Sequence, residues 1–281
     1  DDKVAVTNKL AASEAFTAAL DTTAEILGYA GSAAVAPARA FLAAVDATAA
    51  SLTAATAGVA AAVVSVTTAG SAVAGQTFML TAGIDSPANT AGNDTYNAQD
   101  TSAATPVATL SKMDTIDGGA GTDTLNVVSA GAVDTTAITG LSVRNVENIN
   151  ITSGAAITAT TSSWAGATQL TTATSAAAQT LVAAATTNVT ATTTAVAANA
   201  ISVDGGNNVS VTNTGAGGSN GTITVGGTTA AAGDVVVTST TGSTGGVTMG
   251  AITVTGGKTV TVNTAGGNAV NTDDTLAAVT V

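Results

Sequence analysis

The residues in this chain that could carry chemistry are carboxylates, and they concentrate in one glycine-rich segment. Six of the 18 acidic residues lie between positions 85 and 123, where Lys112 is the single basic residue. The chain contains no histidine and no cysteine, so catalysis by imidazole or thiolate is excluded, as are zinc sites built from those side chains. Carboxylates beside glycine-rich turns either bind hard cations such as calcium or cap solvated turns.

A calcium-binding pattern lies within this segment. Residues 118–126 read GGAGTDTLN, which matches the nonapeptide G-G-x-G-x-D-x-U-x, where U is a large apolar residue. Calcium takes about six to eight oxygen ligands, and glycines let a turn point its backbone carbonyls inward. Asp123 supplies a carboxylate after the turn, and Leu125 points into the core. The sequence therefore predicts a calcium site with the ligands Asp94, Asp117, Gly118, Ala120, Gly121 and Asp123, and with Asp114 and Asp85 as additional carboxylates.

A second, degenerate copy of the pattern precedes the first. Residues 90–96 read TAGNDTY and keep the G-x-D-x-apolar core, with Asp94 in the place of Asp123 and Tyr96 in the place of Leu125. Two copies inside the acidic segment favour calcium, and an ordinary solvated turn remains the alternative. A phosphate-binding loop is excluded because it needs a lysine or a following helix, and because the carboxylates would repel phosphate.

The first part of the chain, residues 1–68, is predicted to be helical. It is rich in alanine, the strongest helix former, and Thr22 and Glu25 have the spacing of a capping box. Leu52, Val59 and Val63 recur at helical spacing and mark the buried side of one helix. The prediction is a bundle of three or four helices that serves as a scaffold.

The last part, residues 141–281, is predicted to be all-β. Runs such as 148–152 (NINIT), 208–212 (NVSVT) and 258–262 (KTVTV) alternate β-branched and polar residues, and glycine pairs separate them. Such short, closely spaced strands suit a β-solenoid or a β-sandwich, and their self-similarity favours the solenoid. The fold class is therefore α+β: an Ala-rich helical bundle over 1–68, a Gly/Asp-rich calcium-binding segment over 69–140, and a β-solenoid, or alternatively a β-sandwich, over 141–281.

Charge and hydropathy exclude several classes of protein. With six basic residues and a net charge of −12, the chain has no basic patch for nucleic acid or for an anionic membrane surface. Its most apolar stretch, residues 59–66, is much shorter than the ~20 residues needed to cross a bilayer, and no signal peptide is evident. We therefore expect no nucleic-acid partner and no membrane insertion.

An enzymatic function is not expected. The one pair of adjacent carboxylates beyond the N-terminus, Asp273 and Asp274, would point to opposite faces of a strand. Aromatic residues make up 2% of the chain, which leaves little to form a sugar subsite. Thr-x-Thr pairs such as Thr190/Thr192 raise the alternative of an ice- or carbohydrate-binding β-solenoid, but the separations between these pairs along the sequence are uneven.

Three segments of the chain resemble a known family. Residues 77–85 (TFMLTAGID), 90–98 (TAGNDTYNA) and 143–152 (VRNVENINIT) resemble the segments that open the β-region of bacterial RTX-type S-layer proteins and related large secreted surface proteins. The resemblance implies calcium-dependent folding after export, often by type I secretion, with calcium bound between stacked turns. It also implies an extracellular location on the bacterial cell surface and self-assembly into a lattice or fibre.

The expected function is that of a structural subunit of a cell-surface assembly, either an S-layer lattice or a surface fibre. Its main partner is a further copy of the chain, with cell-surface polysaccharide as another partner. An adhesin or biofilm-matrix fibre would share the fold, the metal and the location, and stays open as an alternative. The uncharged run 275–281 is expected to pair with another subunit or with further sequence, because an exposed strand edge templates pairing.

Overall fold

The computed structural model divides the chain into two compact units, Asp1–Val73 and Ala74–Val281. The structure describes residues 2–29, 31–70, 74–100, 108–174, 177–194, 199–215, 219–241, 248–266, 275–276 and 278–281. The first unit is helical and the second is a parallel β-solenoid. The predicted α+β class and the predicted solenoid are therefore confirmed.

Four helices form the first unit. They are α1 (Asp2–Ala18), α2 (Thr23–Gly28), α3 (Gly31–Ala43) and α4 (Ala49–Gly70). The predicted capping box at the start of α2 is present: the Thr22 hydroxyl accepts the backbone N–H of Glu25 at 3.2 Å, and the Glu25 carboxylate accepts the backbone N–H of Thr22 at 3.0 Å. This exchange satisfies two of the N–H groups that a helix start leaves without partners.

Helix α4 is the central helix of this unit and packs against α1, α2 and α3. Its buried face carries Val59, Val63 and Val66, which belong to the same buried cluster as Phe16 of α1. With 22 residues and a mean hydropathy of 1.8 in its most apolar window, α4 is the one helix in the described part of the chain that is long and apolar enough to cross a membrane. The sequence prediction considered only residues 59–66, which lie inside this helix.

Parallel strands make up the second unit. They are β1 (Thr77–Met79), β2 (Thr95–Gln99), β3 (Thr115–Asp117), β4 (Thr124–Ser129), β5 (Val133–Asp134), β6 (Ser142–Arg144), β7 (Asn148–Ser153), β8 (Ile157–Thr160), β9 (Gln169–Thr174), β10 (Gln179–Ala183), β11 (Asn188–Thr193), β12 (Ile201–Gly205), β13 (Val209–Gly215), β14 (Ile223–Val225), β15 (Val235–Thr241), β16 (Thr248–Met249), β17 (Ile252–Val254), β18 (Val260–Ala265), β19 (Thr275–Leu276) and β20 (Val279–Thr280). A short 3₁₀ helix, Thr135–Ala137, follows β5.

Two main sheets run the length of the solenoid. The wide sheet has nine strands in the order β1-β2-β4-β7-β9-β11-β13-β15-β18, and the narrow sheet has seven in the order β20-β17-β14-β12-β10-β8-β5. Two smaller sheets, β16-β19 and β3-β6, complete the unit. Parallel pairing between successive turns is the geometry of a solenoid, and it replaces the hairpins of a sandwich.

The core is a stack of aliphatic side chains between the two main sheets. In the wide sheet Leu125, Ile149 and Leu170 occupy the same position of successive strands and are fully buried. The alternating runs of the sequence thus place one apolar set inside and one polar set outside. Turn length varies: Asn126 lies 29 residues after its neighbour Asn97, whereas Asn208 lies 20 residues after Asn188. The irregular spacing of the sequence is therefore absorbed by the connections, while the strands stay in register.

The last inward position of the wide-sheet strands is polar. Ser153 donates its hydroxyl hydrogen to the carbonyl of Gly131, and Thr174 donates to the carbonyl of Ala155, each at 2.8 Å. These bonds tie the corner of one turn to the corner of the turn before it. Residues of this kind stack in register along the sheet: Ser129, Ser153, Thr174, Thr193, Asn213, Ser239 and Thr264.

The acidic segment and the terminal run both belong to the solenoid. Strands β1 to β5 of the predicted calcium-binding segment pair with the later strands of the same sheets. In the terminal run, β20 pairs with β17 of the same chain. Asp273 and Asp274, which the sequence analysis considered as a carboxylate pair, lie outside the described residues.

Candidate functional site: a carboxylate ladder

Three carboxylates occupy equivalent places in three successive turns. Asp94 directly precedes β2, Asp123 precedes β4 and Glu147 precedes β7. Because β2, β4 and β7 are neighbours in the wide sheet, the three residues stack at one corner of the solenoid. We call this set the carboxylate ladder.

Each member of the ladder binds a backbone N–H of the preceding turn. Asp94 Oδ1 accepts the N–H of Gln76 at 2.7 Å, and Asp123 Oδ1 accepts the N–H of Asp94 at 2.6 Å. Glu147 Oε2 accepts the N–H of Asp123 at 2.7 Å. Hydrogen bonds to a charged acceptor are stronger than neutral ones, so the ladder fastens the corner at which each of these strands begins.

Asp94 uses both of its carboxylate oxygens. Besides the bond from Gln76, it accepts the backbone N–H and the hydroxyl of Thr90, each at 2.7 Å. The side chain is 1% exposed. Burial by itself raises the pKa of Asp94, but the hydrogen bonds from Gln76 and Thr90 outweigh it and hold the pKa below the ordinary aspartate value.

Asp123 uses only one of its oxygens. The residue is fully buried, and Oδ2 has no hydrogen-bond partner. Oδ2 lies against Gly118, where there is no room for a Cβ. Burial raises the pKa of Asp123, the bond from the Asp94 N–H opposes that rise, and the negative charges of Glu147, Asp94 and Asp117 add to it. Folding therefore stabilises the charge of Asp123 less than the charge of Asp94.

Asp117 is held by a different set of donors. It accepts hydrogen bonds from Arg144 Nε at 2.9 Å and from Asn145 Nδ2 at 2.8 Å, and from the backbone N–H of Gly119 at 3.2 Å. The bond from Asn145 makes the largest contribution to lowering the pKa of Asp117, ahead of the bond from Arg144 and its charge, and together they outweigh the effect of burial.

Asp114 and Asp85 form a second, separate step between turns. Asp114 Oδ1 accepts the N–H of Asp85 at 2.8 Å, and its Oδ2 accepts the N–H of Ser111 at 2.6 Å. Asp85 in turn accepts the N–H of Thr81 at 2.7 Å. The same device, in which a buried carboxylate binds a backbone amide of the previous turn, is thus used at two corners.

The two glycine turns of the predicted repeats pack directly on each other. Tyr96 and Leu125 are in register in neighbouring strands, as the comparison of the two repeats predicts. Gly121 has φ of +124°, and a Cβ at this position would lie 2.5 Å from the carbonyl oxygen of Gly92. Ala120, predicted as a ligand, is exposed in the second of these turns, residues 118–121. Glycine is needed at position 121 both for this conformation and for the close approach of the turns.

A calcium ion needs several oxygen ligands that converge on one point. Among the described residues, no group of three or more Asp, Glu, His or Cys side chains is arranged so that it could hold one metal ion. Both oxygens of Asp85, Asp94, Asp114 and Asp117 already accept hydrogen bonds from protein groups. Asp123 Oδ2 is the exception, because it is buried and has no donor. The fit to calcium therefore rests on Asp123.

Sequence reasoning missed two residues of this site. Glu147 completes the ladder, and the available signal was its place directly before an alternating run, like that of Asp123. Tyr96 was assigned only to the core, yet its hydroxyl donates to the carbonyl oxygen of Asp117 at 2.9 Å. Burial, with the negative charges of Asp94, Asp123 and Asp117, raises the pKa of Tyr96 to about 12.

No protein-family model and no curated protein matches the chain. Its function is therefore argued from its own residues.

Proposed function

We propose that this chain is a structural subunit of a bacterial cell-surface assembly, an S-layer lattice or a surface fibre, with calcium acting in its folding and assembly. The observation that carries the proposal is the carboxylate ladder. Its side chains, of which Asp94 and Asp123 are buried, bind backbone amides of neighbouring turns, so their chemistry serves the continuity of the solenoid. A rigid rod of stacked turns suits a load-bearing or space-filling role.

The proposed role is not enzymatic. Catalytic carboxylates need to reach a substrate, whereas Asp94, Asp114 and Asp123 are at most 1% exposed. The enclosed hydrogen bonds of Asp94 and Asp114 leave neither oxygen free for proton transfer to a ligand. The resemblance of residues 77–98 and 143–152 to RTX-type surface proteins supports an extracellular location.

Calcium is proposed to act at Asp123. Calcium favours carboxylate and carbonyl oxygens, and Asp123 offers a buried carboxylate oxygen without a donor beside the glycine turn of residues 118–121. When bound there, the ion would supply the positive charge that this corner lacks. The ladder bond from Asp94 to Oδ1 would hold the carboxylate in place.

The test is assembly of the purified chain after EGTA treatment, followed by electron microscopy and circular dichroism. We expect calcium, and not magnesium, to give ordered lattices or fibres. Asp123→Asn keeps the Oδ1 acceptor but loses the carboxylate, so it should remain folded and fail to respond to calcium. Asp234→Asn is the matched control, because Asp234 is an exposed carboxylate directly before β15.

The outcomes separate the two parts of the proposal. If no ordered polymer forms under any condition, the structural-assembly role is refuted. If the wild type assembles equally well in EGTA, or if Asp123→Asn responds to calcium like the wild type, the calcium role is refuted while assembly stands. Planar lattices support an S-layer subunit, and free fibres support the adhesin or biofilm-matrix alternative.

An ice- or carbohydrate-binding solenoid is a second candidate. The register places Thr190 beside Ser210 and Thr192 beside Thr212 on neighbouring strands. Hydroxyl groups are therefore aligned across β11 and β13 on the outer face of the wide sheet. Thermal hysteresis and co-sedimentation with insoluble polysaccharide test this candidate, which fails if the wild type shows neither.

A further inference from the structure

The outer face of the wide sheet carries no charged side chain at any of its described strand positions. Its strands are five to seven residues long except for β1, and each turns every second side chain outward. Most of these are threonine, asparagine, glutamine or serine. The outward residues are Thr77, Met79, Thr95, Asn97, Gln99, Thr124, Asn126, Val128, Asn148, Asn150, Thr152, Gln169, Thr171, Ala173, Asn188, Thr190, Thr192, Ser210, Thr212, Thr214, Val236, Thr238, Thr240, Thr261, Asn263 and Ala265.

Hydrogen bonds between strands fix part of this face. Asn126 Nδ2 donates to Asn97 Oδ1 at 3.0 Å, and Asn150 Nδ2 donates to Asn126 Oδ1 at 2.9 Å. The three amides form a row across β2, β4 and β7. Side chains that are already ordered lose little conformational entropy when a partner covers them.

Exposed apolar side chains also lie on this face. Met79, Val128 and Val236 are 57%, 42% and 38% exposed, and all three point outward from the wide sheet. Soluble surfaces normally intersperse charged residues among such side chains to prevent association. Here the chain has a net charge of −12, and yet the strands of this face carry none of it; the exposed carboxylate of Asp234 lies at the border of the face, directly before β15.

The outer face of the narrow sheet differs. It carries Asp134 on β5 and Asp204 on β12 among its outward residues. Covering that face would bring these carboxylates towards a partner of the same negative charge, which opposes contact. The strands of the wide sheet carry no charged residue on their outer face, whereas those of the narrow sheet do. This difference favours the wide sheet as the surface through which identical chains associate.

The size of the face matches what a stable contact between two proteins needs. Nine strands spaced about 4.8 Å apart, with roughly 3.3 Å per residue along each strand, span on the order of 700 Å². A standard interface covers about 800 Å² per partner. Two sheets can pack face to face about 10 Å apart, so the outer faces of two wide sheets can cover each other.

We propose that the outer face of the wide sheet packs against the same face of a second copy of this chain, in a two-fold, self-complementary contact. This inference rests on the proposed self-assembly and names one of the contacts that such an assembly needs, because a two-fold contact alone closes into a dimer. Val128, Val236 and the rows of threonine and asparagine are the contact residues.

Charge placed on this face tests the inference. Thr171→Glu/Thr212→Glu puts two carboxylates on β9 and β13 of the wide sheet. Thr180→Glu/Thr224→Glu puts the same pair on β10 and β14 of the narrow sheet, also two strands apart, and serves as the matched control. Sedimentation velocity over a concentration series gives the dissociation constant, and circular dichroism confirms that both variants are folded. We expect about 100-fold weaker association for the wide-sheet variant, and no change for the control.

The outcomes distinguish this inference from the proposed function. If the wild type associates and the wide-sheet variant associates equally well, or if the narrow-sheet variant is the one that loses association, this surface is wrong and self-assembly stands. If the wild type stays monomeric at all concentrations, self-assembly itself is refuted. If a monomeric wild type binds insoluble polysaccharide through this face, and the wide-sheet variant does not, a polysaccharide is the occupant and the two-fold contact is refuted.

Discussion

Asp123 accepts the backbone N–H of Asp94 at 2.6 Å through Oδ1, while its buried Oδ2 has no hydrogen-bond partner. One carboxylate thus performs two tasks. Its Oδ1 holds the preceding turn by a hydrogen bond, and its Oδ2 is a buried acceptor to which no protein group donates. An unpaired buried charge is costly unless a proton or a cation accompanies it.

The stability of the solenoid should depend on pH through Asp123. A pKa raised by folding contributes stability that is fully present below the ordinary value of 3.8 and is lost as the pH rises through the folded pKa. Calcium-free wild type should therefore lose stability, relative to Asp123→Asn, as the pH rises above about 4. Denaturant unfolding at a series of pH values measures this difference. Parallel curves for the wild type and Asp123→Asn would contradict it.

The contribution of Asp94 to the stability of the solenoid should depend on pH in the opposite direction to that of Asp123. Asp94→Ala leaves the N–H of Gln76 and the N–H and hydroxyl of Thr90 without their acceptor, and we expect a loss of about 3 kcal/mol of unfolding free energy at neutral pH. Because folding lowers the pKa of Asp94, this stability is present above the ordinary pKa and disappears as the pH falls through the folded pKa. The wild type and Asp94→Ala should therefore converge at acid pH. Asp234→Asn should leave the neutral-pH stability within about 0.5 kcal/mol of the wild type.

Gly121 should be intolerant of a side chain. Its φ of +124° and the nearby carbonyl of Gly92 leave no unstrained place for a Cβ, so Gly121→Ala should cost about 1–3 kcal/mol. Gly58→Ala provides the contrast, because nothing lies within 4 Å of a Cβ there and the residue is inside α4. That change should stabilise the helical unit by about 0.5–1 kcal/mol. Thermal unfolding, followed separately by the helix signal and the sheet signal, reports the stability of each unit. Equal changes in stability for Gly121→Ala and Gly58→Ala would refute the account of the turn.

The strands of the solenoid were predictable because their sequence signal is local. In runs such as 148–152 and 208–212 the β-branched residues alternate with polar ones, and the structure buries Ile149, Ile151, Val209 and Val211. Register was not predictable. Connections of different length separate strands that nevertheless align, as Thr190 and Ser210 do, and only the stacked core determines that alignment.

The partners of the carboxylates were not predictable for a related reason. The sequence matched Asp94 to Asp123 as equivalent positions of two repeats, and the two residues lie on successive turns. Asp94 accepts the backbone N–H groups of Gln76 and Thr90, and Asp123 accepts that of Asp94. No side-chain pattern identifies an amide that needs an acceptor. Gln179 shows the same limit: it occupies an apolar position between Ile157 and Ile201, and is satisfied there by Thr193 and by the carbonyl of Thr192.

The most direct test of the carboxylate ladder is the hydrogen exchange of the Asp94 backbone amide, measured by NMR in calcium-free buffer. The account predicts strong protection of this amide in the wild type, retained protection in Asp123→Asn, which keeps the Oδ1 acceptor, and lost protection in Asp123→Ala. The amide of Ile149, inside the β7 strand, reports whether each variant remains folded. If the Asp94 amide exchanges as fast as an unprotected amide in the folded wild type, or if Asp123→Ala leaves its protection intact, the ladder does not hold the turns together.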